Sequence, residues 1–260
     1  MKELTTRESW DSGWQRWVPR RGLGLSMRLF NREFDRLHRA VLAQVPQGAR
    51  WLEIGGAPGA MIARYHRMRP DVRFDCLDYS EDGIQRTRET YAAEGIEGEV
   101  ILADFRAGGE RFGSYDVVTS YGFIEHFDNF AEAIAVHYRY ARPGGTVLIA
   151  VPDLTPAPMR WLLPVCAQGM LSRHNLAAMA RTALERAATD AGADIIRSAT
   201  LGGALFHHSE FDPNWRGRAY KLGASVWNLA IAAFAAATGY ALVPRLWDGY
   251  RYVWGQRRAS

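Results

Sequence analysis

The chain has 260 residues, 48% of them hydrophobic and 23% charged, which is enough for one sizeable core and points to a single α/β unit with additions. Net charge is +4, the basic residues are arginine apart from Lys2 and Lys221, and no dense basic run interleaved with aromatics marks a nucleic-acid surface. Cys76 and Cys166 share no ligand spacing, so neither a disulfide framework nor a metal site is expected, and the charged stretch Met1 to Arg21 lacks a secretory core, which makes a cytoplasmic protein the expectation.

In chain order, Trp10, Trp14 and Trp17 fall at helical spacing, so a helix there carries three indoles on one face, either docked on the domain or closing a substrate pocket as a lid. Ser26 can cap a second helix whose Met27, Phe30, Phe34, Leu37 and Val41 step by three and four; Pro46 to Gly48 end it. Residues 1–47 thus read as an N-terminal helical lid region, and residues 48–260 as the main α/β domain. A first strand over Arg50 to Ile54 breaks into Gly55-Gly56-Ala57-Pro58-Gly59, with Pro58 suited to the first position of the next helix. Strand, glycine turn and helix together make a place for a small molecule.

Two ligands compete for that turn. The dinucleotide fingerprint needs three glycines, and its frame here reads Gly55, Ala57, Ala60, which disfavours a nicotinamide cofactor. The other frame is an acidic residue followed by small ones, met by Glu53, Gly55, Ala57 and Gly59. A second strand, Val72 to Leu77, ends at Asp78, placed as an acidic side chain that accepts hydrogen bonds from ribose hydroxyls, with Tyr79 beside the adenosine and Ser80 able to cap a helix. A third, Glu99 to Ala103, ends at Asp104-Phe105, where the carboxylate can receive an adenine amino group and the ring can cover the base. A fourth, Tyr115 to Ser120, is nearly continuous in apolar and β-branched residues, as a buried parallel strand should be, and leads into Tyr121-Gly122-Phe123-Ile124-Glu125-His126-Phe127. A helix then leads to Arg142-Pro143-Gly144-Gly145 and a fifth strand, Thr146 to Val151.

These five signals, in this order, resemble the class I S-adenosylmethionine-dependent methyltransferases over residues 48–152, with Ala57 in place of the usual middle glycine. The resemblance implies a doubly wound, mostly parallel seven-stranded sheet ending in an antiparallel pair. It also implies that S-adenosylmethionine is the cofactor, bound by Glu53, Gly55, Gly56, Ala57, Gly59, Asp78, Tyr79, Asp104, Phe105 and Ser120.

Farther on, four prolines make Pro152 to Met170 a cover loop with Trp161 in its apolar wall. Leu176 to Ala187 reads as a helix, and Asp194 to Thr200 and Tyr250 to Gly255 as the closing strands. Between these strands Leu222 to Val243 carries no charge, which reads as a buried or pocket-forming helical insert, or as a peripheral membrane contact flanked by Arg216, Arg218, Lys221 and Arg245. Segments 152–170 and 207–247 are thus the expected covers of the site. An oxygen acceptor needs a base, for which His126, His207 and His208 are the candidates. Trp14, Trp17, Tyr121, Glu125 and Trp161 are the candidate acceptor contacts. The reading is methylation of a small, bulky or apolar molecule on oxygen or nitrogen, against a nicotinamide-dependent oxidoreductase or a cofactor-binding protein without turnover.

Overall fold

The computed structural model describes residues 1–15, 25–206, 211–240, 242 and 249–259. Seven strands form one sheet: β1 (Arg50–Ile54), β2 (Arg73–Asp78), β3 (Val100–Leu102), β4 (Tyr115–Tyr121), β5 (Ala141–Pro152), β6 (Ala193–Leu201) and β7 (Tyr250–Arg257). Their order is β3-β2-β1-β4-β5-β7-β6, parallel as far as β5, with β7 antiparallel to both of its neighbours. Helices cover both faces, namely α1 (Arg7–Gln15), α2 (Leu25–Leu42), α3 (Ala60–Met68), α4 (Glu81–Glu94), α5 (Phe130–Tyr140), α6 (Ala157–Cys166), α7 (Gln168–Leu171), α8 (Arg181–Asp190) and α9 (Trp215–Ala237). This is the seven-stranded, doubly wound sheet that the sequence implies.

Side chains alternate across the central strands. Leu52, Ile54, Val118, Val147 and Ile149 enter one core with residues of α5 and α8. Trp51, Val117, Leu148 and Ala150 enter the other, with Phe34, Leu37 and Val41 of α2 and Tyr65 of α3. Because both faces are covered, the strands read as continuous apolar runs in sequence. β1 pairs with β2 on one side and β4 on the other, so the strand order reverses at the carboxyl end of β1, where open α/β sheets bind ligands.

Several local expectations shift. Ser26 falls within α2 (Leu25–Leu42), and its side chain lies outside the described residues. Pro58 is not the first helical residue: α3 starts at Ala60, after Gly59 in the left-handed region (φ 83°). Pro152 to Met170 is no loop, since α6 forms with Pro156 at its N-terminus and tolerates Pro164 in its last turn. The helix expected from Leu176 breaks into a 3-10 turn, Leu176–Met179, and α8. The uncharged insert is a helix, α9, but only one stripe of it is buried, through Tyr220, Ala224, Asn228, Ala232 and Ala235. Leu222, Val226, Leu229 and Phe234 face solvent.

Candidate active site

The site forms where β1, β2, β3 and β4 end. The glycine turn is close against its surroundings: Gly55 has φ 68°, and a Cβ there would lie 2.3 Å from the Phe123 ring. Only glycine combines that backbone with that approach. A Cβ on Gly56 would meet Cys76 Sγ at 2.9 Å and Glu53 at 3.0 Å, so the turn lies directly on the Glu53 side chain. Glu53 is 3% exposed, and its Oε2 has no hydrogen-bond partner among the described residues. Burial, reinforced by the charge of Asp78, pushes its carboxyl up to about 8.

Asp78 ends β2 with its carboxylate at the cavity. One oxygen accepts from Ser80 N (2.9 Å) and the other from Ala57 N (3.3 Å). Burial raises its pKa despite these backbone donors. The Ser80 hydroxyl caps α4 as expected, accepting from Gly83 N at 3.0 Å. Across the cavity Asp104 is gripped by Arg106, whose guanidinium contacts both carboxylate oxygens and also reaches Glu3 at 3.1 Å. Burial would raise the Asp104 pKa, but the hydrogen bonds and charge of Arg106 prevail and hold it below the usual range.

The N-terminal segment closes this pocket from outside. Leu4 N donates to His126 O (2.7 Å), Asp128 N donates to Lys2 O (3.0 Å), and Glu3 bridges to Phe127. Arg7 Nε donates to Tyr79 O (2.7 Å), and the Ser80 hydroxyl donates to Asp11. Trp10 stands edge-on to the His126 ring, with centroids 5.0 Å apart. The cavity is about 150 Å³, below the roughly 300–1,000 Å³ usual for small-molecule sites.

Of the sequence-chosen residues, Gly55, Ala57, Asp78, Tyr79, Asp104, Phe105, Tyr121 and His126 meet at the cavity wall. Glu53, Gly56 and Gly59 support it from behind. Ser120 is buried in β4, away from the wall. Glu125 is buried beside His126, with Oε1 4.0 Å from Nε2. Trp161, expected as a wall residue, is 78% exposed on α6 and takes no part in the cavity. Trp14 belongs to α1, but its side chain lies outside the described residues, as do Trp17, His207 and His208. Sequence reasoning passed over Thr5, Phe123 and Phe127 in the wall, and His174, whose ring lies 4.6 Å from that of His126. The aromatic residues of Phe123 to Phe127 were a visible signal; nothing near His174 in sequence was.

A parallel sheet with its glycine turn at the switch point, and carboxylates at the end of β2 and just past β3 at the cavity, is the arrangement of the class I S-adenosylmethionine-dependent methyltransferases. The buried, partnerless Glu53 oxygen and the close Gly55 turn fit a cationic, nucleoside-bearing cofactor. A profile described as a methyltransferase domain matches residues 27–198, and the chain belongs to that family. Its fold is similar to that of a Galdieria sulphuraria protein described as a sarcosine dimethylglycine methyltransferase, with TM-score 0.62 at 15% identity over 97% of this chain and 98% of that one. It is also similar to geranyl diphosphate C-methyltransferase from Streptomyces coelicolor A3(2), a structure with Mg²⁺, geranyl diphosphate and S-adenosylhomocysteine, with TM-score 0.57 at 13% identity over 98% of each chain. Among curated relatives, ribosomal RNA small subunit methyltransferase C of Escherichia coli is 28% identical over 112 residues, 41% of this chain. The chain spans about a third of the length of such relatives, 32% in that case. The cofactor is S-adenosylmethionine. Among the described residues no helix is long and apolar enough to cross a membrane.

Proposed function

We propose that this chain methylates an oxygen or nitrogen of a small acceptor with an apolar body, and that Asp78 and Asp104 hold the cofactor's ribose and adenine. The observation that carries the reading is a cavity with carboxylates at its nucleoside end and Trp10, Tyr121, Phe123 and Phe127 around the rest. S-adenosylmethionine supplies a methyl group on a sulfonium, which an acceptor lone pair takes by in-line displacement. What the protein has to provide is position, a dry wall and somewhere for a proton to go.

Phe105 covers the adenine on this reading, and Gly55, Gly56 and Gly59 let the backbone come close to the methionine part. The aromatic rings exclude water and offer π faces to the sulfonium. His126 lies in the wall where an oxygen nucleophile would sit. Residues 1–15 act as the lid, through Glu3, Thr5 and Trp10 in the cavity wall. The S. coelicolor neighbour, whose structure holds geranyl diphosphate, is in keeping with an apolar acceptor.

Calorimetric titration with S-adenosylmethionine, S-adenosylhomocysteine and NADH, on wild type and Asp78→Ala, tests the cofactor part. Losing charge-assisted hydrogen bonds of about 1.5–3 kcal/mol each should weaken binding of the first two by roughly 10²-fold or more. Binding of NADH alone would overturn the reading. Radiolabelled methyl transfer to apolar phenols and amines, compared with small-subunit ribosomal RNA, tests the acceptor; label on the RNA alone would reject a small molecule.

A further inference from the structure

Glu125, His126 and His174 bring three metal-ligating groups together, all buried, with one ligand atom from each lying within 4.8 Å of the others. Their orientation is set from behind. His126 Nδ1 lies 3.0 Å from Arg173 O, and His174 Nδ1 lies 2.7 Å from Met170 O. A carbonyl only accepts, so in each neutral ring Nδ1 carries the hydrogen and Nε2 is the nitrogen able to ligate. Backbone carbonyls fixing the far nitrogen are the usual outer support of a metal-ligating histidine.

The two pieces of chain are also fastened to each other. Asn175 N donates to Glu125 O (2.6 Å), and Asn175 Nδ2 donates to Phe127 O (3.0 Å) and Asp128 O (2.9 Å). His174, far away in sequence, is thereby held beside the His126 turn. We infer that Glu125, His126 and His174 form a binding site for one divalent transition-metal ion at the edge of the methyl-transfer cavity. Two imidazoles and a carboxylate suit zinc, iron(II), cobalt(II) or manganese(II) better than magnesium or calcium, which prefer all-oxygen shells. With ligands about 2.1 Å from the ion, the donor atoms need only draw in by roughly 1–1.5 Å.

Three protein ligands leave a position open, and His126 lines the cavity. Resting on the methyltransferase reading above, this selects an acceptor with an ionisable oxygen, such as a phenol or enol. The ion lowers that oxygen's pKa and its proton goes to solvent. The oxygen lone pair then forms the new O–CH₃ bond as the S–CH₃ bond breaks, and the bonding pair stays on sulfur.

Chelator-treated protein titrated with Co²⁺, followed by visible ligand-field absorption and by bound metal after desalting, tests the site. One Co²⁺ per chain is expected in wild type, with affinity at least about tenfold weaker in Glu125→Gln and His174→Gln. Circular dichroism checks the fold of each variant, and either folded variant decides the question. No stoichiometric binding in wild type, or unchanged affinity in a folded variant, overturns the site. S-adenosylhomocysteine titrated into the metal-free protein is scored separately, so a failed cofactor reading and a failed metal site give different results.

A second, independent observation concerns the outer faces of α6 and α9. Trp161, Leu162 and Val165 of α6 and Trp215, Leu222, Val226, Leu229 and Phe234 of α9 are all exposed large apolar residues, on two helices that pack together. An apolar recess of about 440 Å³ lies between them. Neither helix contains an acidic residue, while Arg160, Arg216, Arg218 and Lys221 are exposed on them. Solvent-facing apolar surface on this scale marks an interaction site, and its cations with two tryptophans match an anionic bilayer surface. We propose that α6 and α9 dock this chain on anionic membranes.

Cosedimentation with phosphatidylglycerol and phosphatidylcholine vesicles tests this, using wild type and a Trp161→Ser/Leu222→Gln/Val226→Gln variant. Binding to the anionic vesicles, weakened at least tenfold by the triple change and by high salt, is expected. Equal binding of both proteins, no binding, or a wild-type dimer in sedimentation that the variant loses would refute it.

Discussion

Glu53→Gln should make the protein less sensitive to rising pH. Glu53 is buried beneath the glycine turn, facing Asp78, and its pKa in the fold is about 8 against 4.5 for the free group. Tyr65, Tyr121 and Cys76 also face it, and burial lifts all three far above neutrality, so they stay uncharged. A raised pKa means that the native state holds a proton which the unfolded chain releases. The stability this gives is complete below pH 4.5 and is lost as pH rises toward about 8.

Across that window unfolding free energy falls by about 1.4 kcal/mol per pH unit, so Glu53 costs less than about 1 kcal/mol at pH 5 and about 3 kcal/mol at pH 7. Glutamine has nearly the same shape and never ionises. The stability difference between variant and wild type should therefore move by roughly 2–3 kcal/mol in the variant's favour from pH 5 to pH 7. Urea unfolding at both pH values measures it, and taking the difference cancels the titrating groups that do not interact with Glu53. A difference that stays constant between the two pH values would mean that Glu53 is ionised in the fold.

The same carboxyl should sense the cofactor: at pH 7 a group of pKa about 8 is roughly nine-tenths protonated, so a cationic ligand should expel nearly one proton. Calorimetry of S-adenosylmethionine in buffers of different ionisation enthalpy reads this, and no dependence on buffer would contradict it. Gly55→Ala forces a side chain into φ 68° and against Phe123; a loss of about 1–3 kcal/mol, seen as a melting temperature several degrees lower, should accompany loss of cofactor binding. Trp10→Ala removes the indole that closes the cavity over His126 and should raise the dissociation rate of S-adenosylhomocysteine about tenfold in stopped flow, since burying such a ring contributes about 1.5–3 kcal/mol. An unchanged rate would mean that α1 is no lid.

The sheet was legible because both of its faces are buried, so β1, β2, β4 and β5 stand out as apolar runs punctuated by glycine turns. The place of Asp78 and Asp104 at the cavity wall was legible for a related reason: both lie at or just past strand ends, and strand ends are visible in sequence. What lies across the cavity was not. Trp161 has the composition of a wall residue, yet its side of α6 faces solvent, and no local pattern tells which way a short proline-flanked helix will turn. His174 is held beside His126 by hydrogen bonds of Asn175 and of the Arg173 carbonyl, a long-range pairing without periodic signature. Arg106 beside Asp104 is a plain surface charge in sequence, and only the fold shows it gripping the carboxylate assigned to adenine.

The placement of β7 between β5 and β6 bears on how the chain is made. β6 leaves the ribosome first and has no neighbour to join, because the slot beside β5 is reserved for a strand that comes after residues 202–249. At roughly 5–20 residues per second, β5 shows a bare apolar edge for about 2–10 s while α9, itself apolar on its outer face, emerges into solvent. That interval is when the nascent chain is most open to wrong strand pairing. Expression at lower temperature or with extra chaperone should matter more for this protein than the stability of its finished sheet would suggest.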